Sequence, residues 1–220
     1  WYKSRELTFN NELSEIGDDR EVNTTSTNHN RMFAEKLVLT YPLWKGQIKV
    51  GQEYTDTRST NLFSANIPET PDADNRVDES NVAAFAEIGQ RLGRFMIGIG
   101  LRYEHVRFNY YEMGILQDGQ SKTYNNLFPS LNIATQVGKV RMGLNYTGKT
   151  VRPGYGQLDG AISYINRLTY ETGNPYLKPT KMQTVEYMAQ WRRFFAQLSY
   201  TYFKDGVYHI TEPYGTDDEA

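Results

Sequence analysis

FMIGIGLRYE, residues Phe95 to Glu104, decides how this chain is read. In an extended backbone Phe95, Ile97, Ile99, Leu101 and Tyr103 fall on one side, and Met96, Gly98, Gly100, Arg102 and Glu104 on the other. Successive side chains of a strand point to opposite faces, so the stretch predicts a strand with one apolar and one polar face. It is also far shorter than the roughly 20 apolar residues of a membrane-spanning helix. The same period recurs outward from it. Val140, Met142, Leu144 and Tyr146 alternate with Arg141, Gly143, Asn145 and Thr147; Phe194, Ala196, Leu198, Tyr200 and Tyr202 alternate with Phe195, Gln197, Ser199 and Thr201. Leu37 to Leu43 and Val185 to Trp191 repeat the pattern, while 48–58 and 82–91 keep it with Gln52 and Glu87 as interruptions. No stretch has a convincing helical period.

The connections sort into two kinds. Trp44-Lys45-Gly46, Leu92-Gly93, Gly138-Lys139 and Arg192-Arg193 are tight, whereas 11–31, 60–81, 109–126 and 153–182 read as long loops. Short and long connections in alternation predict an all-β, antiparallel up-and-down meander of about nine or ten strands, with one smooth end and one end of long loops. Such sorting suits a transmembrane barrel. The five clean apolar faces carry no Lys, Arg, Asp or Glu, and Trp44 and Trp191 flank short turns. Tyr41, Tyr103, Tyr146 and Tyr202 are expected near strand ends, completing aromatic girdles.

Composition narrows the function. A formal net charge of -2 over 220 residues leaves no basic footprint for nucleic acid. With no cysteine and with His29, His105 and His209 scattered, neither a disulfide framework nor a metal centre is expected, and no cofactor is called for. Asp72-Ala73-Asp74-Asn75 begins like a calcium loop, but Arg76 and Val77 stand where a ligand and the turn glycine belong. No nucleophile–base–acid constellation is present, so enzymatic activity is not expected. Seventeen tyrosines in a chain of mean hydropathy -0.66 describe a polar protein crowded with interfacial rings.

Three motifs then carry a resemblance. NLFPSLNIATQVG (Asn126 to Gly138), LNYTGKTVRPGYGQLDG (Leu144 to Gly160) and TGNPYLKPTKMQTVEY (Thr172 to Tyr187) follow in order. Together they resemble the barrel region of TonB-dependent receptors, most closely the outer-membrane β-barrel proteins of Bacteroidota. The elements carrying the likeness are Phe128-Pro129-Ser130, Arg152-Pro153-Gly154-Tyr155, and Gly173, Asn174, Pro175, Leu177, Lys178 and Pro179. Gly154 before Tyr155 and Lys181 in a usually acidic position depart from the family pattern. Pro175 and Pro179 fix φ near −65° and remove two backbone donors, so they stiffen an extended approach to the next strand, which Leu177 can anchor to the wall. That adapter role is the first reading of the motif and ligand contact the second. Arg152 is expected to pair with loop carboxylates or carbonyls at the rim.

The resemblance implies a Gram-negative outer-membrane location, outer-membrane lipid around the wall, and TonB-coupled import of a scarce, bulky solute such as a glycan, siderophore, cobalamin or peptide. It implies a plug domain, a barrel of 22 strands and a surface lipoprotein as a further partner. Residues 1–220 are accordingly expected to form a single barrel region, an internal fragment of a larger wall, with plug, coupling segment and remaining strands outside it. An open curved sheet follows from this, with no pairing of the first strand to 194–212. The substrate-path candidates are Arg102, Glu104, Arg141 and Asn145 on the polar face and Tyr155 and Tyr164 in the loops, with 60–81, 109–126 and 153–182 as capturing loops. Two alternatives stand beside the transporter: a structural or adhesive barrel, and a soluble β-sandwich binding glycans through its loops.

Overall fold

The computed structural model describes residues 2–12, 20–68, 70–166 and 168–213. Its strands are β1 (Tyr2–Glu12), β2 (Arg20–Leu43), β3 (Gly46–Ala65), β4 (Ala73–Leu92), β5 (Phe95–Glu112), β6 (Ile115–Leu116), β7 (Lys122–Val137), β8 (Val140–Val151), β9 (Ile162–Asn166), β10 (Thr169–Thr172), β11 (Thr180–Trp191) and β12 (Phe194–Lys204). They build one antiparallel sheet in the order β1-β2-β3-β4-β5-β7-β8-β11-β12; β6 folds onto the end of β5, and β9 and β10 form a separate small hairpin. Among the described residues β1 pairs only with β2 and β12 only with β11, so over these residues the sheet is open.

Register separates the faces. Tyr41, Ile48, Ile88, Ile99, Leu131, Tyr146, Val185 and Tyr200 are successive partners across eight strands and form one apolar row. One residue away, Thr40, Lys49, Glu87, Gly100, Ser130, Thr147, Thr184 and Thr201 form a polar row on the opposite face. Because side chains alternate, slipping any strand by one residue would exchange the two rows. Ile97, Ile99, Leu101, Val140, Met142 and Leu144 thus share the apolar face, and Arg102, Arg141 and Asn145 the polar one. Among the described residues no second layer covers the apolar face: Leu39, Ile99 and Leu198 are 61%, 55% and 72% exposed. A sandwich would bury them, so the soluble alternative fails.

The tight turns gather at one end, and the loop end holds Thr70, Gln117 and Tyr164. Trp44, Gly93, Gly138 and Arg192 take φ of 53°, 63°, 61° and 53° as the first turn residue. The left-handed region costs a glycine nothing and a side chain something. The second residue of each turn is basic: Lys45, Arg94, Lys139 or Arg193.

The long loops are shorter than the sequence reading. β2 already begins at Arg20, β3 and β4 leave only 66–72 between them, and 113–121 contains β6. The error has a physical cause. A membrane strand needs about 9–11 residues, yet β2, β3, β4 and β5 have 24, 20, 20 and 18. Their outer halves stand clear of the apolar belt, with water on the outer face, so alternation of polarity vanishes while backbone pairing continues. Arg58 and Asp78 mark this zone with a bidentate pair on the outer face, at 2.7 and 3.1 Å, and Arg76 stacks 3.8 Å from the Tyr111 ring centre. Tyr103 and Tyr146 lie within strands rather than near their ends, the place the sequence reading gives them: Tyr103 because β5 continues well beyond the apolar stretch, Tyr146 in the middle of β8.

Reconstituted in phospholipid vesicles, a full-length protein carrying Ile99→Arg is expected to lose about 2–4 kcal/mol in urea unfolding, the cost of a mid-belt arginine facing lipid. Ser130→Arg, in the adjacent register row on the polar face, is expected to lose far less.

Candidate functional site

The polar face is concave, and its side chains meet across strands that are not neighbours. Glu53, Ala83 and Glu104 form one register row on β3, β4 and β5. The small Ala83, fully buried, leaves room for the Arg102 guanidinium to bridge the two carboxylates, Nη2 at 2.6 Å from Glu53 and Nε at 2.7 Å from Glu104. Lys36 on β2 extends the chain to Glu53 at 2.5 Å. Arg152, just beyond β8, closes it with Nη1 2.9 Å from Glu79 and Nη2 3.8 Å from Glu104. Lys36, Arg102 and Arg152 thus neutralise Glu53, Glu79 and Glu104 in one continuous band. The Glu79 and Glu104 side chains are only 10% and 13% exposed, so loss of a cation would leave a carboxylate poorly solvated.

Arg152 therefore pairs with wall carboxylates, not with loop groups as expected. The reach is possible because residues 152–179 turn inward rather than rising outward. A 3-10 turn at Tyr155–Leu158 places Leu158 in a cluster with Val77, Phe108 and Tyr110 of the wall, against which Tyr155 and Leu177 also pack. The Gln157 side chain accepts the Gly154 N–H at 2.9 Å and braces the turn. Asp159 accepts from the Asn75 side chain, and the Gly160 N–H reaches the Tyr110 hydroxyl at 3.4 Å. The β9–β10 hairpin sits over the upper part of β2 and β3, where Tyr164 is buried with Val22 and Ile67 and meets Tyr170 edge-on at 5.6 Å.

Here the Gly-Asn-Pro motif acquires its mechanism. A Cβ on Gly173 would lie 2.4 Å from the Asp159 carbonyl oxygen and 2.7 Å from those of Gln157 and Gly156. Those are backbone atoms and cannot swing aside, so only glycine lets the returning chain lie on the 3-10 turn. The Asn174 N–H then donates to Gln157 at 2.7 Å, its side chain accepts the Tyr176 N–H at 2.9 Å, and Lys122 holds the Tyr176 carbonyl at 2.9 Å. Pro175 lies beside Gly160, Leu177 enters the wall cluster, Lys178 is exposed, and Pro179 lines the small void beneath Arg152 and Pro153.

The other candidates separate. Arg102 and Glu104 join Arg152 in the ionic band; Phe128 and Pro129 on β7 stand opposite Arg102 and Leu101. Asn145 lies lower on the concave face, bonded to Asn132, and Arg141 lower still, opposite Gln136 and Gln190. Tyr164 packs in a core cluster. Burial pushes the Tyr155 hydroxyl's pKa above its ordinary value, and the nearby Glu79 charge adds to this. Sequence reasoning missed Lys36, Glu53, Glu79 and Ala83, which look no different from other residues of a polar strand face; register alone unites them. Among the described residues no group of His, Cys, Asp or Glu could hold a metal ion.

A family model for the outer membrane protein β-barrel family matches residues 2–219. The chain belongs to that family. It lies in the Gram-negative outer membrane, and its exposed apolar face is the lipid face. Among solved structures the fold is similar to the ferric yersiniabactin uptake receptor FyuA of Yersinia pestis, with TM-score 0.59 and 14% identity over 93% of this chain and 32% of that one. The unliganded ferric citrate transporter FecA gives 0.58 and 14% over 90% and 30%. The hemophore receptor HasR of Serratia marcescens, in complex with its hemophore HasA and heme, gives 0.51 and 12% over 84% and 34%. This chain spans about a third of the length of these receptors. No curated protein matches it.

Two substitutions test the inward assembly. Ala83→Leu should push Arg102 off its two glutamates and destabilise the wall by about 1–3 kcal/mol in urea unfolding, the usual range for overpacking. Gly173→Ala should release 153–178, seen as faster chymotryptic cleavage after Tyr155 and Tyr176 in a barrel that still shows heat-modifiable gel mobility.

Proposed function

We propose that this chain is part of the barrel wall of a TonB-dependent transporter that draws a scarce, bulky solute through the outer membrane. The observation that carries the reading is the pairing of a receptor-like meander with a concave, polar wall onto which a long loop folds from the extracellular side. A barrel that only anchors or adheres has no need of an inward loop held by buried charges. In this reading residues 1–220 are one region of a larger barrel, and the plug, the coupling segment and the other strands belong to the rest of the protein. The solute passes the inserted loop at Tyr155, then the band of Arg102, Glu104 and Arg152, and then the lower concave face at Asn145 and Arg141. The Bacteroidota likeness of the Phe-Pro-Ser, Arg-Pro and Gly-Asn-Pro motifs favours a host of that phylum and a surface lipoprotein partner.

Deletion of the full-length gene, and separately of the energy-coupling gene, tests the reading in the native host against ferric complexes, cobalamin, oligosaccharides and peptides. Uptake of at least one solute is expected to fall in both strains, and removal of 153–172 alone should reduce it. Unchanged uptake of every solute, with surface adhesion lost instead, would point to the structural barrel.

A further inference from the structure

The turn end of the wall is a surface that transport leaves unused. Its four hairpin tips, 41–48, 90–97, 135–142 and 189–196, carry seven Lys or Arg and no Asp or Glu, in a chain of formal net charge -2. We propose that this end binds anionic glycerophospholipids of the periplasmic leaflet, their phosphates seated on Lys45, Arg94, Lys139, Arg192 and Arg193. The proposal rests on the outer-membrane placement of the barrel and holds whether or not the barrel transports.

Short turns of such barrels face the periplasm, and these are built alike. The closing pairs Leu92 with Phe95, Val137 with Val140 and Trp191 with Phe194 lie on the lipid face, and a two-residue turn bearing a cation follows at once. Such a turn rises only about 3–4 Å beyond its closing pair, within a headgroup layer about 5–8 Å deep. The cations therefore emerge at the height of the lipid phosphates. The rings agree. Trp191 stacks on Phe194 at 5.8 Å, and the Arg192 guanidinium lies 5.3 Å from the Trp191 ring centre. Trp44 is 83% exposed at a φ of 53°, where two of the other three turns place glycine. A bulky side chain in the left-handed region costs energy, and an interfacial indole offsets it. The array is also fixed: Gln90 donates to the Leu43 carbonyl at 2.8 Å and the Thr135 hydroxyl to the Arg94 carbonyl at 3.1 Å, tying the first two turns to the hairpin that follows each. Neighbouring turns stand two strands apart, about 10 Å, so the cations line up along the membrane plane. The protein itself does not neutralise them. At the loop end Arg58 and Arg76 face Asp78, whereas among the described residues none of the five turn cations forms an ion pair. A zwitterionic headgroup brings its own ammonium to its phosphate and gains little here; a net anionic one gains from every cation nearby. An acidic periplasmic protein would need charges standing clear of the headgroups, which turns of two residues do not provide.

The test takes the full-length protein, otherwise free of cysteine, with a bimane on Val137→Cys beside the third turn. It is reconstituted in phosphatidylcholine vesicles containing a minor share of chain-nitroxide phosphatidylglycerol or chain-nitroxide phosphatidylcholine, and the ratio of quenching by the two reads local enrichment. Phosphatidylglycerol is expected to be enriched at least about fivefold, the effect of a single surface cation. Arg94→Gln, Lys139→Gln and Arg193→Gln together should bring the ratio near one. Salt at about 1 M should do the same to the unsubstituted turns by screening. Lys181→Gln with Lys204→Gln, paired at the loop end of the same outer face, should leave the ratio unchanged. Heat-modifiable mobility checks that each variant is folded, and the salt arm needs no turn variant. Equal quenching by the two lipids, the result an acidic protein partner would give, overturns the proposal, as does an enrichment indifferent to the turn cations or to salt. None of these outcomes bears on uptake, so the transport reading stands or falls separately.

Discussion

Hydrocarbon offers no partner to a peptide group, and this single constraint organises the chain. Every N–H and C=O in the belt must be paired with a neighbouring strand. The antiparallel ladder satisfies this continuously from β1 to β12, leaving the side chains alone to distinguish lipid from lumen. Hence the period of two that FMIGIGLRYE displays, and hence the sharp change between the row through Ile99 and the row through Gly100. Backbone pairing also frees the concave side from having to be hydrophobic. Charged and amide groups can be placed there at positions set by register, at spacings no loop could hold.

The apolar belt was legible in sequence because lipid imposes a rule on every second residue. Where the rule lapses, so does legibility. Thr24 to Asn30, a run of Thr, Ser, Asn and His, reads as a loop yet lies in the outer half of β2, paired residue for residue with β3. Its side chains have water or a polar lumen on both sides and so show no alternation. The ionic band was half legible: Arg102, Glu104 and Arg152 were candidates by type, but their partners Glu53 and Glu79 lie on strands far off in sequence. The space left by Ala83 that joins two of them is a matter of register, not composition. Tyr164, a loop candidate for the substrate path by residue type, is buried with Val22 and Ile67, a packing that only the fold reveals.

The Gly-Asn-Pro-x-Leu-Lys-Pro segment joins these two levels. Proline stiffness explains why the chain approaches β11 in extended form, but not why the loop before it turns inward. The decisive contact is between Gly173 and the carbonyls of the 3-10 turn, because that packing fixes the turn over the wall. Leu158, Asp159 and Arg152 then fall within reach of the hydrophobic cluster, Asn75 and Glu79. A backbone contact of this sort sets the position of every side chain on the loop.

In the transporter proposed above, the unequal strand lengths bear on capture kinetics. β2 to β5 overshoot the belt by about ten residues, which at about 3.3 Å per residue and a tilt near 40° raises that flank roughly 25 Å above the lipid. β8, β11 and β12, with 12, 12 and 11 residues, barely clear it. A molecule that drifts in over the low flank meets the tall one as a backstop. Reflection there lengthens its dwell time and raises the odds of a second encounter before escape.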